Sequence, residues 1–249
     1  MEAISISSLT AFQWSVMLGC GVLIGMSKAG LKGFGLMVVP ILASTFGGRP
    51  SVGILLPLLI FADMIAVSWY NRHTEWKYVR NLLPWAFVGI LVGVWVGGKI
   101  SDEIFIRIIA GIVIFGIILM VWQDIRKKAE IPDFWWFSMI LGLMVGFISM
   151  LSNAAGPAMA LYFLSMRLPK NQFIGTAAWF IFIVNLTKVP FHVFVWKTIT
   201  WQSLLFDVTI IPAIAIGAIL GIWLVRLFPE RAYRIFVIAS TLVAALLLL

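Results

Sequence analysis

An all-α polytopic membrane protein is the fold class this sequence predicts, and three observations predict it. The 249 residues are 62% hydrophobic and 11% charged, where a soluble domain carries about 25% charged residues. The apolar residues gather into long runs, and at about 20 residues per span there is room for roughly ten spans and no soluble domain. The runs are also too continuous for barrel strands, which alternate and take about ten residues each. Backbone in lipid then has to satisfy its own hydrogen bonds as helix.

Taken in order, the first runs are 9–26 and 34–46, both short and parted by a glycine- and lysine-rich break. Runs 52–70, 82–98 and 104–122 follow. A polar stretch, 123–133, is the one substantial linker. Beyond it come 134–150, 154–166, 173–195, 204–227 and 232–249. The chain thus divides into a first transmembrane repeat (1–122), a cytoplasmic linker (123–133) and a second repeat (134–249), five segments to each repeat.

The halves echo each other. Gly21 and Gly25 match Gly142 and Gly146, Gly35 matches Gly156, and Gly53 matches Gly175, which sets Asp63 opposite Asn185. Later, PWAFVGILVGVW from Pro84 matches PAIAIGAILGIW from Pro212. An odd number of segments per unit predicts that the two repeats sit inverted in the membrane, an arrangement typical of secondary transporters. Broken or re-entrant helices are expected at the first hairpin of each repeat.

Net charge is +8, but the basic residues are scattered singly between apolar runs, as loop anchors are, so nucleic acid is not an expected partner. Alternating the loops puts Arg72, Lys77, Arg80, Arg126, Lys127, Lys128, Arg167, Lys170, Arg226, Arg231 and Arg234 on one side. Arg49, Lys99, Arg107 and Lys197 fall on the other. The richer side is read as cytoplasmic, which leaves both termini extracytoplasmic in a bacterial inner membrane. Glu2 stands where a signal peptide would carry basic residues, so the N-terminus reads as the first membrane segment. Cys20 is the single cysteine and excludes an intrachain disulfide. Trp69, Trp76, Trp122, Trp135, Trp136, Trp196 and Trp201 fall near segment ends, as an interfacial belt does.

Polar residues inside the apolar runs are the candidates for function. In GMSKAGLKGFG, Lys28 and Lys32 interrupt a hairpin beside Gly30 and Gly33, and a lysine near the bilayer centre costs roughly 2.5–3.5 kcal/mol on insertion scales. Two ammonium groups and freed N–H groups at a restarting helix suit a small anion. The competing reading is a tight hairpin whose lysines reach the surface. The second break, GFISMLSNAAGP, offers Ser149, Ser152, Asn153 and Gly156 without charge. It reads either as neutral donors for an oxyanion or as a polar cap at a kink. Asp63 is a proton carrier or the counter-ion of Lys28 or Lys32. Run 173–195 adds Asn185 and Lys188 on one face, Pro190 as a kink and His192, which nearer the segment end reads first as a satisfied or water-exposed histidine and second as a proton-coupling candidate.

Enzyme and metal motifs are absent: no HExxH helix, no nucleophile elbow, no P-loop, and two histidines with one cysteine. No cofactor and no metal are expected.

The stretch GCGVLIGMSKAGLKGFGLMVVPILA and its echo GLMVGFISMLSNAAGPAMALYFLS resemble the TauE/SafE family of membrane proteins. The resemblance extends more thinly over the whole chain. It implies a permease for small sulfur-containing anions, sulfite and sulfonates such as sulfoacetate, exporting from the cytoplasm with proton coupling. By position it makes the break with Lys28 and the break with Ser152 and Asn153 the binding loops. The expected partners are a small anionic substrate and the lipid bilayer, with a homodimer left open. The competing readings are a non-transporting membrane scaffold or assembly factor and a passive anion channel.

Overall fold

The computed structural model describes residues 9–28, 34–70, 74–125, 135–166, 168, 170–227 and 239. Among these, nine α-helices follow one another: α1 (Ala11–Lys28), α2 (Phe34–Phe46), α3 (Gly48–Tyr70), α4 (Trp76–Lys99), α5 (Asp102–Ile125), α6 (Trp135–Ser152), α7 (Gly156–Ser165), α8 (Lys170–Pro190) and α9 (Trp201–Leu227). No strand occurs among the described residues. Five of these helical stretches are long and apolar enough to cross a bilayer: Gly48–Ser68, Trp76–Lys99, Trp135–Ser152, Gln172–Val195 and Trp201–Gly221. α5 extends through Ile125, into the stretch read as linker. The rest of the linker, and the tenth run apart from position 239, lie outside the described residues.

Local sequence explains where several helices begin. Thr10 and Gln13 form a reciprocal cap on α1: Thr10 N donates to Gln13 Oε1 at 2.9 Å and Gln13 N to Thr10 Oγ1 at 3.2 Å. Thr200 and Ser203 repeat the device on α9, at 2.9 and 3.1 Å. Asp102 caps α3 from a distance, accepting from Gly48 N at 3.1 Å and Arg49 N at 3.2 Å. That places a negative charge at the positive end of the helix.

Two helix pairs close the molecule, and their contacts correspond. On α1, Trp14 lies edge-on to Phe206, their ring centres 5.0 Å apart, and Gly21 faces Ile210 and Ala213. A Cβ on Gly25 would sit 2.0 Å from Ile214 O. Contacts advance together along both helices, so α1 and α9 run parallel. On α6, Gly142 faces Leu82 and Trp85, and a Cβ on Gly146 would sit 1.9 Å from Ala86 O. From the other side, Gly89 meets Leu143 O and Gly217 meets Val22 O, at 2.2 and 2.1 Å for an added Cβ. These are the positions that the sequence echo aligns, and only a residue without a side chain lets the backbones approach so closely.

α2 has 13 residues and α7 has 10, about 20 and 15 Å at 1.5 Å per residue. Neither crosses a core of about 30 Å alone. Each packs back against the helix before it. α3 and α8 cross at the centre, where the polar residues collect.

The tryptophans divide. Trp76, Trp122, Trp135, Trp136 and Trp201 are exposed, as a belt requires. Trp196 is not part of it: the ring is buried at 7% exposure, edge-on to Phe105 and to His192, with Nε1 donating to Val94 O at 3.3 Å. Gly97 clears the space it fills, since an added Cβ would come within 2.5 Å of the ring.

Candidate functional site

The centre is built on Asp63, a fully buried carboxylate on α3. Lys28, the last residue of α1, pairs with its Oδ1. Asn185 Nδ2, from α8, donates to its Oδ2 at 2.7 Å. Both oxygens are thereby held from different helices. The Lys28 side chain keeps 28% of its surface exposed while Asp63 keeps none. Lys28 is thus the open face of an otherwise closed pair.

One turn further along α8, Lys188 forms a second cluster and is fully buried. Its Nζ donates to Ser149 O at 3.1 Å, Ser149 Oγ at 2.9 Å and Asn153 Oδ1 at 2.5 Å. The ammonium therefore sits at the C-terminal end of α6, the negative end of the helix dipole, which favours a cation. Asn153 ends that helix in the left-handed region, at φ +57°, a conformation asparagine tolerates better than most residues. Its amide then donates to Val52 O on α3 at 3.0 Å.

Ser152 turns inward. Its Oγ donates to Ile148 O at 2.9 Å and accepts from Ala154 N at 3.2 Å. The side chains of the second break are therefore engaged with backbone groups and with Lys188. Gly156, at the start of α7, is exposed, with nothing within 4 Å of where a Cβ would be. Gly30, Lys32 and Gly33 lie outside the described residues.

His192 follows Pro190, where α8 gives way to a π-turn over Phe191–Val195. Proline supplies no N–H to the helical ladder, and π-turns inside helices recur at functional sites. The imidazole is fully buried. Its Nδ1 shares a hydrogen bond with Thr198 Oγ1 at 2.7 Å, while Nε2 has no partner. Trp179 packs on Trp76, with ring centres 5.2 Å apart.

A separate cleft of about 270 Å³ lies between α4 and α8, lined by Leu83, Pro84, Phe87, Ile90, Val184 and Thr187. Its walls carry no charge, so it does not suit an anion. The polar cluster on α3 and α8 is the chemically competent region.

The structure thus joins Lys28, Asp63 and Asn185 in one group, and Ser149, Asn153 and Lys188 in another. Sequence reasoning passed over Val52, whose contribution is a backbone carbonyl, and Thr198, which has no signal of its own. It also passed over Asp207, a buried carboxylate on α9. An acid inside run 204–227 was as visible a signal as Asp63.

Comparison with curated proteins and with solved structures gives no match. Comparison with family models matches residues 17–248 to "Sulfite exporter TauE/SafE". That match over nearly the whole chain, with five membrane-length apolar helices, makes this an integral membrane transport protein rather than an enzyme, and the chain belongs to the TauE/SafE sulfite exporter family.

Proposed function

We propose that the protein exports small sulfur-containing oxyanions, sulfite or sulfonates such as sulfoacetate, by alternating access, with the anion held between the two helix breaks. The observation that carries the reading is the charge of the buried centre. Two lysines, Lys28 and Lys188, stand in it with one carboxylate, Asp63, which pairs with Lys28, while Lys188 is held only by the neutral groups of Ser149 and Asn153. An anion entering beside Lys28 replaces Asp63 as its partner, and Asp63 stays anchored by Asn185. Lys32, Gly30 and Gly33 extend the same break, while Ser149, Ser152, Asn153, Lys188 and the N–H groups near Gly156 complete the far side. Proton coupling supplies the driving force.

The matched α1–α9 and α4–α6 seams support two inverted repeats, 1–122 and 134–249, joined by a cytoplasmic linker at 123–133. So does the direct bond between the counterpart residues Asp63 and Asn185, because residues that meet their own equivalents lie near a two-fold axis. Five segments per repeat, with the basic loops inside, put both termini outside the bacterial inner membrane.

Flux of radiolabelled sulfite in proteoliposomes tests the reading. Loss of one charge-assisted contact predicts that Lys28→Ala lowers flux by about tenfold or more. In detergent, sulfite at about a hundred times its Kd is expected to stabilise the wild type by about 2.7 kcal/mol. Unchanged flux in Lys28→Ala removes that lysine from the mechanism. Wild type with neither flux nor stabilisation is a scaffold instead.

A further inference from the structure

We propose that Asp207 is a proton-binding site of this protein and the group that couples proton movement to the anion, an assignment that rests on the transport reading above. Asp207 is the seventh residue of α9 and is 4% exposed. Both of its carboxylate oxygens are buried without a hydrogen-bond partner. The contrast with the other buried or capping acids is plain. Asp63 has a donor on each oxygen, and so does Asp102.

The fold supplies its own control. The echo that aligns Pro84 with Pro212 and Gly89 with Gly217 aligns Val79 with Asp207. Val79 is buried at 1% exposure in α4. A small apolar side chain therefore fills the corresponding place in the other seam, and packing does not call for a carboxylate.

An ionised carboxylate without a donor is costly in such surroundings, and a proton removes the charge while adding almost no volume. A metal cation needs several oxygens. The hydroxyl one turn back on the same helix face, Ser203 Oγ, is already bonded to Thr200 N and Thr200 O. No group of three or more His, Cys, Asp or Glu side chains occurs among the described residues.

Among the described residues, the helices packed most against α9 are α1 and α3. On α1 the ionisable side chains are Cys20, which is buried, and Lys28, which is taken by Asp63. On α3 they are Arg49, which donates to Ile100 O, Asp63, and Tyr70, whose side chain lies outside the described ones. In the segment leading into α9 they are His192, bonded to Thr198, and Lys197, which is exposed. None of these groups bonds Asp207. Protonation turns the carboxylate into a carboxylic acid, and release returns the proton to water, with no other bond changed. α1 connects the two events, since it carries Lys28 at its end and packs along α9 at Ile210 and Ile214, which share a helix face with Asp207.

The test uses the full-length protein with Asp207→Asn, Asp207→Val (the counterpart's residue) and His192→Gln. Infrared difference spectra across a pH titration read the protonated-carboxyl stretch directly, whether or not any anion moves. The expected result is a titrating band in wild type and His192→Gln that is missing from both Asp207 variants. In proteoliposomes, the ratio of sulfite flux with and without an imposed pH gradient is expected to fall about tenfold in both Asp207 variants. Both should remain monodisperse and still be stabilised by sulfite. A band that survives both substitutions, a gradient ratio that is unchanged, or one lost only in His192→Gln overturns the assignment. Flux that follows a sodium gradient overturns it as well. Wild type that moves no anion but shows the Asp207 band overturns the transport reading and the coupling with it, and leaves the proton site standing.

Discussion

Asp63 is bonded once per oxygen, by helices from the two halves of the chain. Removing it strands a lysine and an amide together, and breaking a buried pair from one side costs about 3–5 kcal/mol. Asp63→Leu is therefore expected to unfold earliest in thermal melts in detergent. Lys28→Met should be milder, because that side chain keeps 28% of its surface exposed. The double variant should lose less than the two singles combined, and a coupling below about 0.5 kcal/mol would show that the pair carries no interaction. That Lys28, Asp63, Asn153, Asn185 and Lys188 stand out was legible in the sequence, because charges and amides inside apolar runs are conspicuous. Which would bond was not. Lys188 rather than Lys28 reaches Asn153, a matter of how α8 crosses α6, and spacing along one chain does not record a crossing.

At the scale of the element, the helices are governed by where glycine replaces a side chain. Gly25, Gly146, Gly89 and Gly217 bring backbones into contact, whereas Gly19 has nothing within 4 Å of an added Cβ. Gly146→Ala is expected to destabilise the protein by about 1–3 kcal/mol, as overpacking does, and Gly25→Ala similarly. Gly19→Ala should be neutral or stabilising, since alanine is the better helix former. Melting temperatures of the three variants, measured side by side, check this. If Gly146→Ala melts with the wild type, the α4–α6 seam is not as close as described. The echo of glycines was readable beforehand, but its meaning was not. It aligned α1 with α6 and α4 with α9, yet the contacts run crosswise, α1 with α9 and α4 with α6.

At the scale of the molecule, the helices and most of their boundaries among the described residues followed from hydropathy, because lipid leaves the backbone so few options. The exceptions have local causes. α4 starts at Trp76 rather than at 82, because an amphipathic first turn carries the helix beyond the apolar run. Trp196 left the predicted belt because Gly97 opens a place for its ring. Orientation is a separate matter of loop charge. Lys77, at the start of α4, and Lys197, ahead of α9, are both exposed. In a Cys20→Ala background, Lys77→Cys is expected to react with impermeant maleimide only from the cytoplasm, and Lys197→Cys only from outside. Labelling of both from the same side would overturn the proposed orientation.

The bond between Asp63 and Asn185 also bears on why one chain carries both halves. In the proposed arrangement they are counterparts that face each other. Two aspartates there would repel, and two asparagines would bond but leave Lys28 without its counter-ion. Only unlike partners close the centre and hold the lysine at once. Fusion guarantees that every acid meets an amide, one to one, which free association of two similar subunits would achieve only part of the time.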